Sequence, residues 1–170
     1  MQQKEIIFRI GWFMQPELDS YDRRILVELQ QEGRIKNQEL ADRVGLSPAA
    51  CWRRVRALEQ QGVVKKYTAL VDQQAVQQGL CVLVMVTLLR HSNDIGNAFE
   101  EAIKDCPEVL QCYAVTGTAD FALRVVVPDM AAYDRFLTEK LFKIEGISQT
   151  QSNFALREVK NDTSLPISIT

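Results

Sequence analysis

Two rhythms of apolar residues divide this chain. Up to about residue 62 they recur every three to four positions, and beyond residue 80 they run together or alternate. In the first region Leu18, Tyr21, Ile25 and Leu29 mark one face of a helix over Asp19–Gln31, which Gly33 closes. Asn37 is placed to cap a second helix carrying Leu40, Ala41 and Val44. A tight turn follows at Gly45-Leu46, and Ser47-Pro48 opens a third helix. Serine accepts a bond from an orphan amide there, and proline is pre-set for the first helical position. This helix runs to about Gln60, with Gly62 as its stop. Cys51, Trp52, Val55 and Leu58 are its predicted inward face, Trp52 packing at the core edge. At roughly 100° per residue, Arg53 falls almost opposite Val55, with Ala50 and Ala57 near it and Arg54 and Arg56 on the flanks.

In the second region the rhythm is that of strands. Val63–Val71 is β-rich and reads as a wing or a connector, and Asp72–Gly79 is polar, as a boundary is. Cys81–Arg90 reads as a buried strand. Asn93–Asp105 reads as a helix with Ile95, Phe99, Ala102 and Ile103 inward, ending before Pro107. Val109–Thr116 and Phe121–Val127 are strands joined by the turn Gly117-Thr118-Ala119-Asp120. Pro128-Asp129 caps a helix bearing Met130, Tyr133, Phe136, Leu137 and Leu141. Gly146 ends it, and Ile147–Glu158 is the final strand. The order βαββαβ is ferredoxin-like. The predicted class is therefore α+β, an N-terminal winged helix-turn-helix followed by a ferredoxin-like domain. The expected parts are an N-terminal extension (1–16), the helix-turn-helix (17–62), a β-strand linker (63–79), the ferredoxin-like domain (80–158) and a C-terminal tail (159–170). Both helices on one sheet face leave the other face in need of cover, which a second subunit can provide.

Composition narrows the function. At 46% hydrophobic and 25% charged the chain is globular, and no apolar run approaches the roughly 18–20 residues of a membrane span. Met1–Phe13 is too short and too broken by charge for a signal peptide, so a cytoplasmic protein is expected. Cys51, Cys81, Cys106 and Cys112 form no C-x-x-C pair, and His91 is the single histidine, so neither a metal set nor a disulfide framework is expected. His91 reads as a surface or capping residue, and no cofactor is implied. The net charge of −2 is unevenly spread. Residues 47–66 hold five cations against one anion, whereas residues 73–170 hold 8 against 12. Charges are screened beyond roughly 8 Å, so the local +4 is what phosphate meets. So modest an anchor needs repetition in an oligomer.

A short helix, a glycine turn and a capped basic helix are the parts that enter a DNA major groove. Small residues let the backbone approach base edges, and arginine reaches guanine or phosphate. The candidate DNA-binding residues are Asn37, Ser47, Ala49, Ala50, Arg53, Arg54 and Arg56, with Ser47 a helix cap first. Two rival readings are open. A metabolic enzyme is disfavoured because no nucleophile–base pair, metal set or phosphate loop is visible, and the chain reads as a non-enzyme. A thiol-responsive regulator would use Cys51, or Cys106 with Cys112, as its switch.

The N-terminal half carries Leu18-Asp-x-x-Asp22-Arg-x-Ile-Leu, Gly33-Arg-Ile-x-Asn37, Leu40-Ala-x-x-Val-Gly-Leu-Ser-Pro48, Cys51, Arg54-Val-Arg-x-Leu-Glu59-x-x-Gly62 and Tyr67-Thr-Ala-Leu. The C-terminal half adds Cys112-Tyr-x-Val-x-Gly117-x-x-Asp120, Val127-Pro-Asp-Met130 and Thr163-Ser-Leu-Pro-Ile167. In these motifs the chain resembles the Lrp/AsnC family of feast/famine transcriptional regulators. The resemblance implies a bacterial or archaeal regulator of operator DNA that assembles as dimers, often tetramers of dimers. It also implies an amino acid or related metabolite bound between subunits near the turn after the second C-terminal strand. Gly117, Thr118 and Asp120 then form the effector site, joined by Thr150 and Ser152 of the last strand. Met130, Phe142, Asn153 and Phe154 match positions tied to effector response. Read by composition alone, 117–120 is an ordinary tight turn. Three departures stand out. Ala50 stands where relatives often carry proline, Arg53 where some carry an acid, and Met1–Phe13 precedes the usual start, as an incorrectly assigned start codon would.

Overall fold

The structure, a computed structural model, describes residues 17–89 and 93–169. The expected extension 1–16 and His91 lie outside the described residues. The chain forms two compact units. One holds the described residues up to Ala69 together with the segment from Asn161 onward, and the other spans Leu70–Lys160.

The N-terminal unit has three helices, α1 (Ser20–Gln31), α2 (Asn37–Val44) and α3 (Pro48–Gln60). A capping box opens α1. The Asp19 carboxylate accepts from the Asp22 amide at 2.9 Å, and the Asp22 carboxylate accepts from the Asp19 amide at 3.3 Å. The α2–α3 turn needs Gly45, whose φ of 76° is left-handed, and Ser47 Oγ accepts from the Ala50 amide at 3.3 Å to start α3. Gly62, at φ 71°, ends α3, and the Val63 amide then reaches back to the Leu58 carbonyl at 3.0 Å. Ile25, Leu26, Leu40, Ala41, Val44, Cys51 and Leu58 are the buried core.

Three expectations change in this unit. Asn37 does not cap α2; Lys36 holds that position, and Asn37, the first helical residue, donates from Nδ2 to the Pro48 carbonyl at 2.9 Å. It ties the start of α2 to the start of α3. Val63–Val71 contains no strand. β-propensity expresses packing against a neighbouring strand, and none among the described residues lies beside this stretch. Val63 and Val64 instead turn back onto the three-helix core. The C-terminal segment is also part of this unit. Ile167 packs on its core, Gln30 exchanges two bonds with the Leu165 backbone (2.6 and 3.2 Å), and Arg23 donates to the Ser168 carbonyl at 3.3 Å.

The C-terminal unit runs β1 (Leu80–Leu88), α4 (Asn93–Lys104), β2 (Val109–Ala114), β3 (Phe121–Val127), α5 (Met130–Glu139), a 3-10 turn (Leu141–Lys143) and β4 (Ile147–Phe154). All pairings are antiparallel in the order β2-β3-β1-β4, as a βαββαβ chain requires. Period two sends Val82, Val84 and Val86 of β1 and Phe121, Leu123, Val125 and Val127 of β3 to one face. There they meet Phe99 and Ile103 of α4, Tyr133 and Phe136 of α5, and Leu141. The opposite face carries Leu83 and Tyr113, 48% and 58% exposed. β4 stops at Phe154 rather than Glu158, because its partner runs out: the Ala155 amide makes the last bond, to the Cys81 carbonyl. Gly146, at φ 90°, precedes β4 where a Cβ would collide with Ile95.

Candidate nucleic-acid interface and effector site

Helix α3 presents a graded face. Arg53 is exposed and has no hydrogen-bond or ion-pair partner among the described residues, and Ala49 beside it is also exposed. Ala50 is half-buried. Arg54 is different, because its guanidinium sits 2.8 Å from both Asp19 and Asp22 and 5.5 Å from the centre of the Tyr21 ring. The Asp22 carboxylate, then Asp19, raises the already high pKa of Arg54. Asp19 is held below the usual carboxylate range, first by the Asp22 amide and then by Arg54. Arg54 thus braces α3 against the capped start of α1, and two carboxylates neutralise it. The positive face is correspondingly weaker than its cation count.

On the opposite flank the expectation for Trp52 is reversed. Its indole is 54% exposed rather than inward. Cys51 and Leu58 fill the buried positions of the helix, and the bulkier ring, about 60° round from Val55, is left over a cleft. The Arg56 guanidinium lies 5.6 Å from the Trp52 ring and 3.4 Å from Glu59, whose other oxygen accepts from the Tyr67 hydroxyl at 3.0 Å. Asn37 and Ser47 are fixed by backbone bonds at the two helix starts.

The candidate effector residues are less unified. Gly117, at φ 118°, shapes the β2–β3 turn, and the Thr118 carbonyl accepts from Thr87 Oγ1 at 3.3 Å. Asp120 Oδ2 accepts from the Leu88 amide at 2.8 Å, so this carboxylate completes the end of β1. Thr150 and Ser152 stand opposite Val86 and Val84 on the helix-covered face. The Ser152 hydroxyl lies 2.5 Å from that of Tyr133, whose pKa burial pushes upward. Asn153 belongs to the other face, donating to the Leu83 carbonyl at 3.3 Å. Met130, exposed, follows the end of β3 where Val127 pairs with Leu80. A seven-residue strand, about 20 Å long, separates it from the 117–120 turn. Phe142, on the 3-10 turn, is also exposed. One chain therefore gathers Gly117, Thr118, Asp120 and Thr150 at one end of the sheet and sends Met130 and Asn153 elsewhere.

Among the described residues no cluster of three or more His, Cys, Asp or Glu is placed to hold a metal. Burial raises the thiols of Cys51 and Cys106, and at Cys112 nearby protein mass and Glu100 do the same, away from the reactive thiolate. Reading the sequence alone missed Trp52 as an exposed ring, the Asp19–Asp22–Arg54 brace and the Tyr133–Ser152 contact. The Asp-x-x-Asp spacing at the start of α1 was the available signal for the brace.

Residues 18–65 match the family described as winged helix-turn-helix DNA-binding, and residues 81–165 match the Lrp/AsnC ligand binding domain. The leucine-responsive regulatory protein of Escherichia coli is 42% identical over 151 residues, 89% of this chain and 92% of that protein. A transcriptional regulator from Neisseria meningitidis, solved as an L-Met complex, is 39% identical with a TM-score of 0.83 over 88% of this chain and 97% of its own. An AsnC family regulator from Agrobacterium tumefaciens is 40% identical with a TM-score of 0.83 over the same shares.

Proposed function

The chain belongs to the Lrp/AsnC family of DNA-binding transcriptional regulators, and on that premise we propose how it divides the work between its units. Helix α3 reads DNA through Arg53, with Ala49 and Ala50 admitting close approach of the backbone. Ser47 and Asn37 hold the helix starts, and Arg54 sets the tilt of α3. The observation that carries this reading is the exposed Arg53, without a partner among the described residues, beside small residues on a capped helix. Two copies, covering each other's open sheet face at Leu83 and Tyr113, present two α3 helices to half-sites about one helical turn apart. Dimers joining further, as tetramers of dimers, add the repetition that a modest basic face needs, and the protein works in the cytoplasm.

The effector is an amino acid, with L-methionine and other apolar amino acids the first candidates by analogy with the Neisseria complex. Gly117, Thr118 and Thr150 form its inner wall. Met130 and Asn153 reach it as residues of a second subunit, because within one chain they diverge from the turn, and Phe142 adds an exposed ring from the 3-10 turn. Binding between subunits changes DNA affinity only through different affinity for two arrangements of them.

Selection of operator sequences from a random duplex library gives the probe for Arg53→Ala. The variant should lose about 1–3 kcal/mol on the selected operator and little on random duplex. Equal losses on both would make Arg53 a phosphate contact. A thermal-shift screen of the amino acids, followed by gel shifts with each hit, tests the effector reading. No shift with any amino acid would overturn it.

A further inference from the structure

Trp52 has no part in the DNA contact proposed for Arg53. Large aromatic side chains are normally covered, yet this one is more than half exposed on the helix that faces DNA. It lies one turn before Arg56 on the same flank, and the guanidinium is 5.6 Å from the ring centre. Leu29, Ile35, Asn37 and Tyr67 help to line the cleft of about 280 Å³ beside the pair. Glu59 and Tyr67, hydrogen-bonded to each other at 3.0 Å, line the same cleft. On the helical wheel Trp52 and Arg56 continue the arc that passes through Ala49 to Arg53, away from the Arg54 brace.

We propose that Trp52 is a positioning residue that holds the Arg56 guanidinium at the rim of the α3 face. There Arg56 exchanges its 3.4 Å contact with Glu59 for a DNA phosphate. The proposal rests on α3 being the DNA-facing helix. The physical reasons are two. A free arginine loses rotamer entropy when it binds phosphate, and stacking on the indole removes part of that loss beforehand. The Glu59 carboxylate is weakly placed, at 3.4 Å to one guanidinium nitrogen, so a phosphate that can take two N–H groups competes well. Glu59 in turn keeps Arg56 from clamping any passing anion.

The test needs no operator, because a phosphate contact is independent of sequence. Binding of the full chain to a mixed-sequence duplex of about 30 bp, three helical turns, is measured over a range of salt. Arg56→Ala should weaken binding and reduce the slope of log affinity against log salt by about 0.9 per protomer bound. Trp52→Ala should weaken it about two- to fivefold, the range to which an exposed cation–π contact converts, while Trp52→Phe, which keeps a ring face, recovers most of the loss. The double variant should bind no more weakly than Arg56→Ala alone. Losses that multiply, or a Trp52→Ala variant that binds like the parent, overturn the proposal. A parent chain that does not bind the duplex overturns the DNA-facing reading of α3 instead. Should Trp52→Ala fail to fold, the Trp12→Phe variant leaves Trp52 as the sole tryptophan. Its emission should then shift, and become protected from iodide, when duplex is added. Unchanged emission and quenching count against the proposal.

Discussion

The two units assemble their proposed sites in opposite ways. In the N-terminal unit every candidate DNA contact comes from residues 37–56, so two consecutive helices and the turn between them fix them all. In the C-terminal unit the candidate effector residues come from the β2–β3 turn, the start of α5, the 3-10 turn and both faces of β4. A local site tolerates a weakened scaffold so long as its helix forms, whereas a distributed one depends on the whole sheet. The chemistry divides the same way. Arg53 of the local site stands without a partner among the described residues, while Asp120 and Ser152 of the distributed site are already hydrogen-bonded within the chain. Such a site must exchange internal bonds for ligand bonds.

The largest effect should come from the shared core of the sheet. Phe99 is fully buried and packs against Phe121, with tilted rings whose centres are 4.6 Å apart. Phe99→Ala should destabilise the C-terminal unit by about 3–5 kcal/mol. Hydrogen exchange resolved by peptide should show β1 and β3 opening faster while α1 to α3 keep their protection. Equal acceleration in both units would erase the distinction, making them one cooperative body.

A smaller change should separate scaffold from ligand at the turn. Asp120→Ala leaves the Leu88 amide without its acceptor, a cost of about 1–3 kcal/mol. Asp120→Asn keeps an acceptor there and should restore most of that stability in a thermal melt. If the effector response returns with Asn as well, the carboxylate charge is not needed to pair with the α-ammonium of an amino-acid effector, and the site is held by shape. If stability returns and response does not, Asp120 serves both purposes, and its internal bond is the one exchanged on binding.

What could be read from the chain beforehand follows the same division. Gly45, Ser47, Pro48 and Gly62 act on their immediate neighbours, so the helix-turn-helix was legible from them. The βαββαβ order was equally open, because Gly146 and Pro128-Asp129 punctuate it locally. The fate of Trp52 was not, since a residue about 60° from the core direction can turn either way and bulk decides. Nor was the absence of a strand in Val63–Val71 readable, because a strand needs a partner elsewhere in the chain. The face on which Asn153 lies was accessible, given that Thr150 and Ser152 share the other by period two. The return of the C-terminal segment to α1 had a signal in the alternation Leu165, Ile167, Ile169. Nothing in it named the surface it would meet.

The smallest expected effect concerns the brace that makes the local site local. Asp19 is held below its ordinary range because its charged form accepts the Asp22 amide and faces Arg54. A carboxyl lowered in the folded state contributes stability that is fully present above its unfolded pKa, near 4, and is lost as pH falls through the lower folded value. The N-terminal unit should therefore lose this contribution below about pH 4, when Asp19 takes up its proton and Arg54 loses a partner. Asp19→Asn should lower the urea midpoint of this unit at pH 7, read from Trp52 emission in the Trp12→Phe background, and lower it much less at pH 3. A difference that does not change with pH would mean that the cap acts by geometry alone. In that case the charge of Arg54 is freer than its two 2.8 Å contacts imply, and the arginine returns to the set of DNA-facing groups.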